Sequence, residues 1–183
     1  GCPLRCHYCD TAYAFGGGEW MSLDEIVTSV RAQGTRHVCV TGGEPLAQAN
    51  CLPLLEQLCD AGLRVSLETS GALPVDQVDA RVSRVVDVKT PDSGEAHRNL
   101  LDQLQVLGEG DQVKFVICSR SDYEWSRQLV RERNLADHTM VLFSPSHDQV
   151  AARDLAEWIL ADGLPVRLQV QLHKILWGNE PGR

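Results

Sequence analysis

Residues 1–11 read GCPLRCHYCDT, and the three cysteines of that run, Cys2, Cys6 and Cys9, carry more information than the rest of the chain. Their C-x3-C-x2-C spacing lets one tight loop hold three irons of a four-iron, four-sulfur (4Fe-4S) cluster, leaving the fourth iron open to a small-molecule chelate. Other uses of the same residues stay open beside this one. A zinc ion asks for four protein ligands, and the further donor within the loop, His7, adjoins Cys6, where it strains a tetrahedron. A disulfide framework leaves one of three thiols unpaired. Ordinary core thiols do not usually gather in a Gly/Pro-bounded loop ahead of Asp10-Thr11.

Outward from this loop, composition agrees with a soluble enzyme. The chain has 183 residues, 43% of them hydrophobic, so residues 1–183 are expected to form a single domain with a sizeable core. No run approaches the ~18 apolar residues of a membrane span, so no membrane partner is expected. The formal net charge of -8 argues against nucleic acid as a partner. Seven cysteines without a signal peptide fit a reducing cytoplasm. The first residue is Gly1 and the cysteine loop follows at once, so an N-terminal segment is expected to be missing.

Strands and helices alternate along the chain, the pattern of a parallel sheet with crossover helices. Ser22 with Glu25 three residues on starts a helix to about Gln33, which Gly34 stops. His37 to Thr41 reads as a buried strand, and Leu52 to Ala61 as a helix with an apolar face of Leu54, Leu55 and Leu58, ended by Gly62. Further strands are expected over 64–69, 84–88, 112–118, 139–143 and 166–171, and helices over 94–107, 122–133 and 148–161. The strand count and the short supply of helices point to an α/β fold, a partial, open TIM-like barrel. Chemistry gathers at the carboxyl ends of such strands.

Four unusual motifs fall at those ends. Gly42-Gly43-Glu44-Pro45 follows the strand ending at Thr41; removing two Cβ atoms lets the backbone approach a ligand, though the same residues also make a plain turn. Glu68-Thr69-Ser70-Gly71 ends the next strand, where Glu68 either accepts from a ligand or caps a loop. Asp87-Val88-Lys89-Thr90-Pro91 ends the third, and Lys89 either binds a carboxylate or reaches to solvent. Ser144-Pro145-Ser146-His147 ends a later one.

A cysteine loop of this spacing ahead of a helix, then a strand followed by GGEP, resembles the radical S-adenosylmethionine (radical SAM) superfamily over almost the whole chain. More narrowly, CDT after the third cysteine, TGGEP, LETSG, DVKTP, FSP and VQLHKILWG resemble the 7-carboxy-7-deazaguanine synthase family of queuosine and deazapurine biosynthesis. The family has an earlier strand and a Gln-Gly-Glu turn with a substrate-binding arginine that have no counterpart here, and Ser70 stands where asparagine is common.

The resemblance implies residue roles. Cys2, Cys6 and Cys9 hold the cluster, and S-adenosylmethionine chelates its free iron. Tyr8, otherwise a packing residue, lies near adenine; Gly43 meets the methionine amino group through its backbone; Glu68, the segment Asp87, Val88, Lys89 and the loop Ser144, Pro145, Ser146, His147 contact the nucleoside. Thr11 supplies a hydroxyl to Mg2+, or else caps its turn, with Asp10 behind it. Thr41, His173 and Lys174 face the substrate. His7, His37, His97 and His138 match no role, and Cys39, Cys51, Cys59 and Cys118 read as buried thiols.

The implied reaction converts 6-carboxy-5,6,7,8-tetrahydropterin to 7-carboxy-7-deazaguanine: an adenosyl radical takes a hydrogen atom from C6, the ring contracts with loss of ammonia, and the hydrogen returns to regenerate S-adenosylmethionine. A flavodoxin-like reductant and a homodimer are implied as well. The rival is a glycyl-radical-activating enzyme, which shares the cysteine spacing and GGEP but acts on a partner protein. A zinc-binding module is the non-catalytic alternative.

Overall fold

The computed structural model describes residues 1–178 and 180. Strands β1 (His37–Val40), β2 (Arg64–Thr69), β3 (Ser83–Val88), β4 (Gln112–Ile117), β5 (Met140–Pro145) and β6 (Arg167–Leu168) form one sheet, parallel throughout and in chain order. A sheet wound steadily in one direction, with β1 and β6 as its edges, is a barrel section that does not close. The helices are α1 (Leu23–Ala32), α2 (Cys51–Asp60), α3 (Arg120–Glu132), α4 (Ala152–Ala161) and α5 (Leu172–Trp177).

Period-2 alternation divides the sheet into two faces with different tasks. Val65 and Leu67 of β2, Val86 and Val88 of β3, Val113, Phe115 and Ile117 of β4, and Val141 and Phe143 of β5 join one core cluster. Leu55 and Leu58 of α2, Tyr123 and Leu129 of α3, and Leu155 and Ile159 of α4 belong to the same cluster. Phe115 and Phe143 meet edge to face, their centroids 5.4 Å apart, and Tyr123 stands on Phe143 at 5.9 Å. Each such side chain fully buried stabilises the fold by roughly 1.5–3 kcal/mol. The alternate positions, among them Glu68, Asp87, Lys114 and Ser144, line the opposite face with polar groups.

The helix starting at Leu23 has the expected capping box: the Ser22 hydroxyl accepts from the Glu25 amide and the Glu25 carboxylate accepts from the Ser22 amide. Five expectations change. β1 is half-exposed rather than buried, because it is an edge strand, and the Cys39 thiol on it is exposed. Cys118 is only partly buried, whereas Cys51 and Cys59 are buried. The span 94–107 forms 3-10 turns instead of an α-helix, since Asn99 exchanges two hydrogen bonds with the Lys89 backbone and Leu100 N–H donates to Gly71. The helix expected from 148 begins at Ala152, because Asp148 takes a left-handed conformation (φ 64°) that an α-helix cannot contain. β6 is two residues long: the chain leaves the sheet so that Gln171 can reach Asp10 across the strand ends.

One ion pair braces the base of the sheet. Asp111 accepts from the Arg84 guanidinium at 2.6 and 3.1 Å, from the Arg84 amide at 2.8 Å and from the Gly108 amide at 3.0 Å. Burial acts to raise its pKa, but these four donors outweigh it and hold the carboxyl below the ordinary value. A depressed pKa supplies stability that is complete above the unfolded value of about 3.9 and lost as pH falls through the folded one. Asp111→Ala should destabilise the protein by about 2–3 kcal/mol at neutral pH, by taking the carboxylate from a half-buried Arg84 guanidinium that keeps only the Val75 and Val106 carbonyls, and the deficit should shrink in acid. Urea melts at pH 7 and pH 3 check this; an equal deficit at both pH values contradicts it.

Candidate active site

Local bonds seat the cysteine loop on the carboxyl ends of the strands. Leu4 is buried, and the Arg5 guanidinium donates to the carbonyls of Cys2 (2.7 Å) and Leu4 (2.6 Å) while lying 4.2 Å from the Phe15 ring centroid. Cys9 N–H donates to the Cys6 carbonyl, which closes the turn between them. His7, given no role by sequence, packs on Gly94, where a Cβ would lie 2.8 Å from its ring, and its amide donates to the Ser93 carbonyl.

The GGEP turn meets this loop directly. A Cβ on Gly43 would stand 2.6 Å from the Gly1 carbonyl oxygen and 2.8 Å from Cys2 Cβ, so the missing side chain admits the chain's own cysteine loop. Glu44 N–H then donates to Gly1 O at 3.0 Å. The Glu44 carboxylate is 1% exposed: Oε1 accepts from the Leu46 amide and the Thr69 hydroxyl, both at 2.9 Å, and Oε2 from the Ser70 amide at 2.7 Å. It ties the turn after β1 to the end of β2. Sequence reading missed this role; its signal is an acid that follows two glycines at the end of a buried sheet.

Loop, turn and strand ends enclose a cavity of about 920 Å³. It is lined by Cys2, Cys6, Tyr8, Cys9 and Thr11 from the loop, and by Thr41 and Gly43 after β1. Glu68 of β2, Asp87 and Lys89 at the end of β3, Ser144, Ser146 and His147 around the end of β5, and His173 and Lys174 of α5 complete the expected set. Two expected residues stay out of the lining: Val88 points into the core cluster, as alternation from Asp87 requires, and Pro145 lies buried at the end of β5. Ser70 and Lys114 join the lining unforeseen; Lys114 shares the polar face of β4 with Val116, and its ammonium lies 3.7 Å from Glu68.

Charge in the cavity is paired, while several polar atoms are not. Lys89, 8% exposed, donates to Asp87 Oδ2 at 2.9 Å and sits 5.7 Å from the Tyr8 ring centroid. Burial works against its ammonium, yet the charges of Asp87 and Cys6 prevail and raise its pKa. Burial pushes the Cys6 thiol up, with Lys89 the main charge pulling the other way. Burial, then Asp87, holds the Tyr8 phenol far above its ordinary pKa. Tyr8 OH, Ser70 Oγ and Asp87 Oδ1 are buried without a hydrogen-bond partner, and all three belong to residues lining this cavity. Orphaned polar atoms gathered at one cavity fit a polar ligand.

At the mouth, the Thr11 hydroxyl donates to Asp10 Oδ1 at 2.8 Å, and Asp10 Oδ2 receives Gln171 at 3.2 Å and faces the Lys174 ammonium at 3.6 Å. Burial opposes the Asp10 charge, but Thr11, Lys174 and Gln171 together hold its pKa below the ordinary value.

A 7-carboxy-7-deazaguanine synthase of Chlorobaculum tepidum is 43% identical over 183 residues, an alignment covering 98% of this chain and 83% of that protein. The chain belongs to the 7-carboxy-7-deazaguanine synthase family. The synthase of Koribacter versatilis is 41% identical, with 98% of this chain and 86% of the relative covered. The profile of the Radical SAM superfamily matches residues 1–87, which carry the cysteine loop, GGEP and Glu68. Two crystal structures share the fold: QueE from Escherichia coli (TM-score 0.74, 24% identity, covering 93% of this chain and 81% of that one) and Streptococcus suis SuiB bound to precursor peptide SuiA (0.69, 13%, 93% and 46%).

The Radical SAM superfamily match over residues 1–87 implies a 4Fe-4S cluster and S-adenosylmethionine, and the donors present in this 7-carboxy-7-deazaguanine synthase family chain fit them. The three loop thiols are free, partly buried and open to one cavity. Among the described residues no three His, Cys, Asp or Glu side chains converge on a single-ion site. A zinc ion needs such convergence, whereas a cluster takes each thiolate on a different iron.

Proposed function

We propose that this chain is a radical SAM carbon–nitrogen lyase that converts 6-carboxy-5,6,7,8-tetrahydropterin to 7-carboxy-7-deazaguanine with loss of ammonia. The observation that carries the reading is the single cavity where three free thiols, a buried Lys89–Asp87 pair and orphaned polar atoms meet at the strand ends. The cluster and S-adenosylmethionine, when bound, supply a carbon-centred radical that takes a hydrogen atom from the pterin.

The chain's own residues bind and orient. Cys2, Cys6 and Cys9 hold the cluster. Tyr8, Gly43, Glu68, Asp87, Lys89, Ser144, Ser146 and His147, with the backbone of Val88 and Pro145, receive S-adenosylmethionine. Thr41, His173 and Lys174 face the pterin. Thr11, backed by Asp10, offers oxygen to Mg2+, which as a hard cation prefers such donors. Residues 1–183 act as a single radical SAM core domain, a reading supported by one hydrophobic cluster running from α2 to α4.

The surroundings follow from the same reading. The exposed apolar side chains Leu172, Ile175, Leu176 and Trp177 on α5 support a homodimer. Seven free cysteines suit the cytoplasm, where a flavodoxin-like protein serves as electron donor. Among the described residues no helix is long and apolar enough to cross a membrane. The glycyl-radical-activating reading is not favoured, because the relatives that match almost the whole chain carry the synthase name.

Anaerobically reconstituted protein, given the pterin, S-adenosylmethionine, Mg2+ and reductant, should release the deazapurine, detected by mass. Thr11→Val, which keeps the side chain's shape and removes its oxygen, should raise the Mg2+ concentration needed for half-maximal turnover by about 10- to 100-fold. No product from wild-type protein that carries its full iron sinks the reaction; an unaltered Mg2+ response in Thr11→Val sinks the metal assignment.

A further inference from the structure

Lys89 is held more firmly than a ligand contact requires. Its amide donates to Asn99 Oδ1 at 2.9 Å, its carbonyl accepts from Asn99 Nδ2 at 2.8 Å, and its ammonium donates to Asp87 Oδ2 at 2.9 Å. Burying a cation is unfavourable unless it is paired and bonded, so this arrangement fixes a charge at one place. That place is beside the cysteine loop, 5.7 Å from the ring centroid of Tyr8, which lies between Cys6 and Cys9 in the chain. Lys89 lines the same cavity as the free thiols of Cys2, Cys6 and Cys9, so the fixed ammonium and the three thiols share one enclosed space.

We propose that Lys89 is a positioning residue for charge, a fixed ammonium that stabilises the negative charge gained when the cluster on Cys2, Cys6 and Cys9 takes up one electron. The inference rests on the cluster reading above. A low-potential one-electron donor is oxidised by one electron, the cluster is reduced by that electron, and no proton moves. The net charge near a cluster is among the factors that set its potential, and a cation in a poorly polarisable interior acts more strongly than one in water. Asp87 opposes Lys89 and moderates the effect.

The test is a redox titration of the reconstituted full chain without S-adenosylmethionine, using dithionite and following the reduced cluster by electron paramagnetic resonance. Lys89→Met should disfavour reduction by about tenfold (59 mV for one electron). Asp87→Asn should move the midpoint the opposite way, which loss of packing alone would not do. Lys89→Gln carries the same expectation as Lys89→Met and replaces it if the latter takes up too little iron. A midpoint within roughly threefold of wild type in either lysine variant, or a negative shift in Asp87→Asn, overturns the inference. Wild-type protein that assembles no cluster overturns the cluster reading itself, so the two failures are told apart.

Discussion

Cys6→Ala should lose both the brown cluster chromophore and the deazapurine product. Cys6 lies in the middle of the loop, its carbonyl accepts the Cys9 amide, and its thiol opens into the cavity beside Lys89. With two thiolates left, one more iron loses its protein ligand and the cubane is not retained. Turnover should fall by on the order of 10³-fold or more, because the cofactor carries the difficult chemistry. Cys39→Ala is the control: that thiol sits exposed on the edge strand β1 and is not among the residues lining the cavity, and its loss should alter neither colour nor product. Iron and sulfide content, absorbance and product mass report the outcome. Full activity in Cys6→Ala would falsify the cluster assignment.

Glu44→Ala should be strongly destabilising although the residue lies outside the apolar core. Three donors, the Leu46 and Ser70 amides and the Thr69 hydroxyl, converge on a carboxylate out of reach of water. Removing the acceptor strands them and should lower stability by about 3 kcal/mol. At about 2–4 °C per kcal/mol for a chain of this size, the melting temperature should fall by roughly 6–12 °C. Glu44→Gln should be milder, since one oxygen survives, but its NH2 then meets a donor on the other side. Because Glu44 also holds the turn that carries Gly43, KM for S-adenosylmethionine should rise in Glu44→Gln while the protein still folds. Scanning calorimetry together with initial rates separates the two effects; an unchanged melting temperature in Glu44→Ala would show that the carboxylate is dispensable.

The fold was largely legible where one signal dominated. The capping box at Ser22 and Glu25, Gly34 and Gly62 as stops, and the apolar run of β4 all fixed elements close to their observed bounds. The motifs at the ends of β1, β2, β3 and β5 do line one cavity. Illegible features depend on partners distant in sequence. Asn99 draws its segment out of helix through bonds to Lys89, and the exposure of Cys39 depends on β1 lying at the edge of the sheet. The side chain of Val88 could have been set aside from alternation alone, because its neighbour Asp87 takes the cavity face. Glu44 reads as part of a turn, but its three donors come from two different segments and emerge only on folding.

At Gly43 there is room for a hydrogen atom and nothing larger before the backbone of Gly1 and the side chain of Cys2. The two strips of chain are therefore not modular: neither can be grafted, redesigned or allowed to drift without its counterpart. A displacement of either strip is met at once by the other, because a hydrogen atom leaves no slack between them.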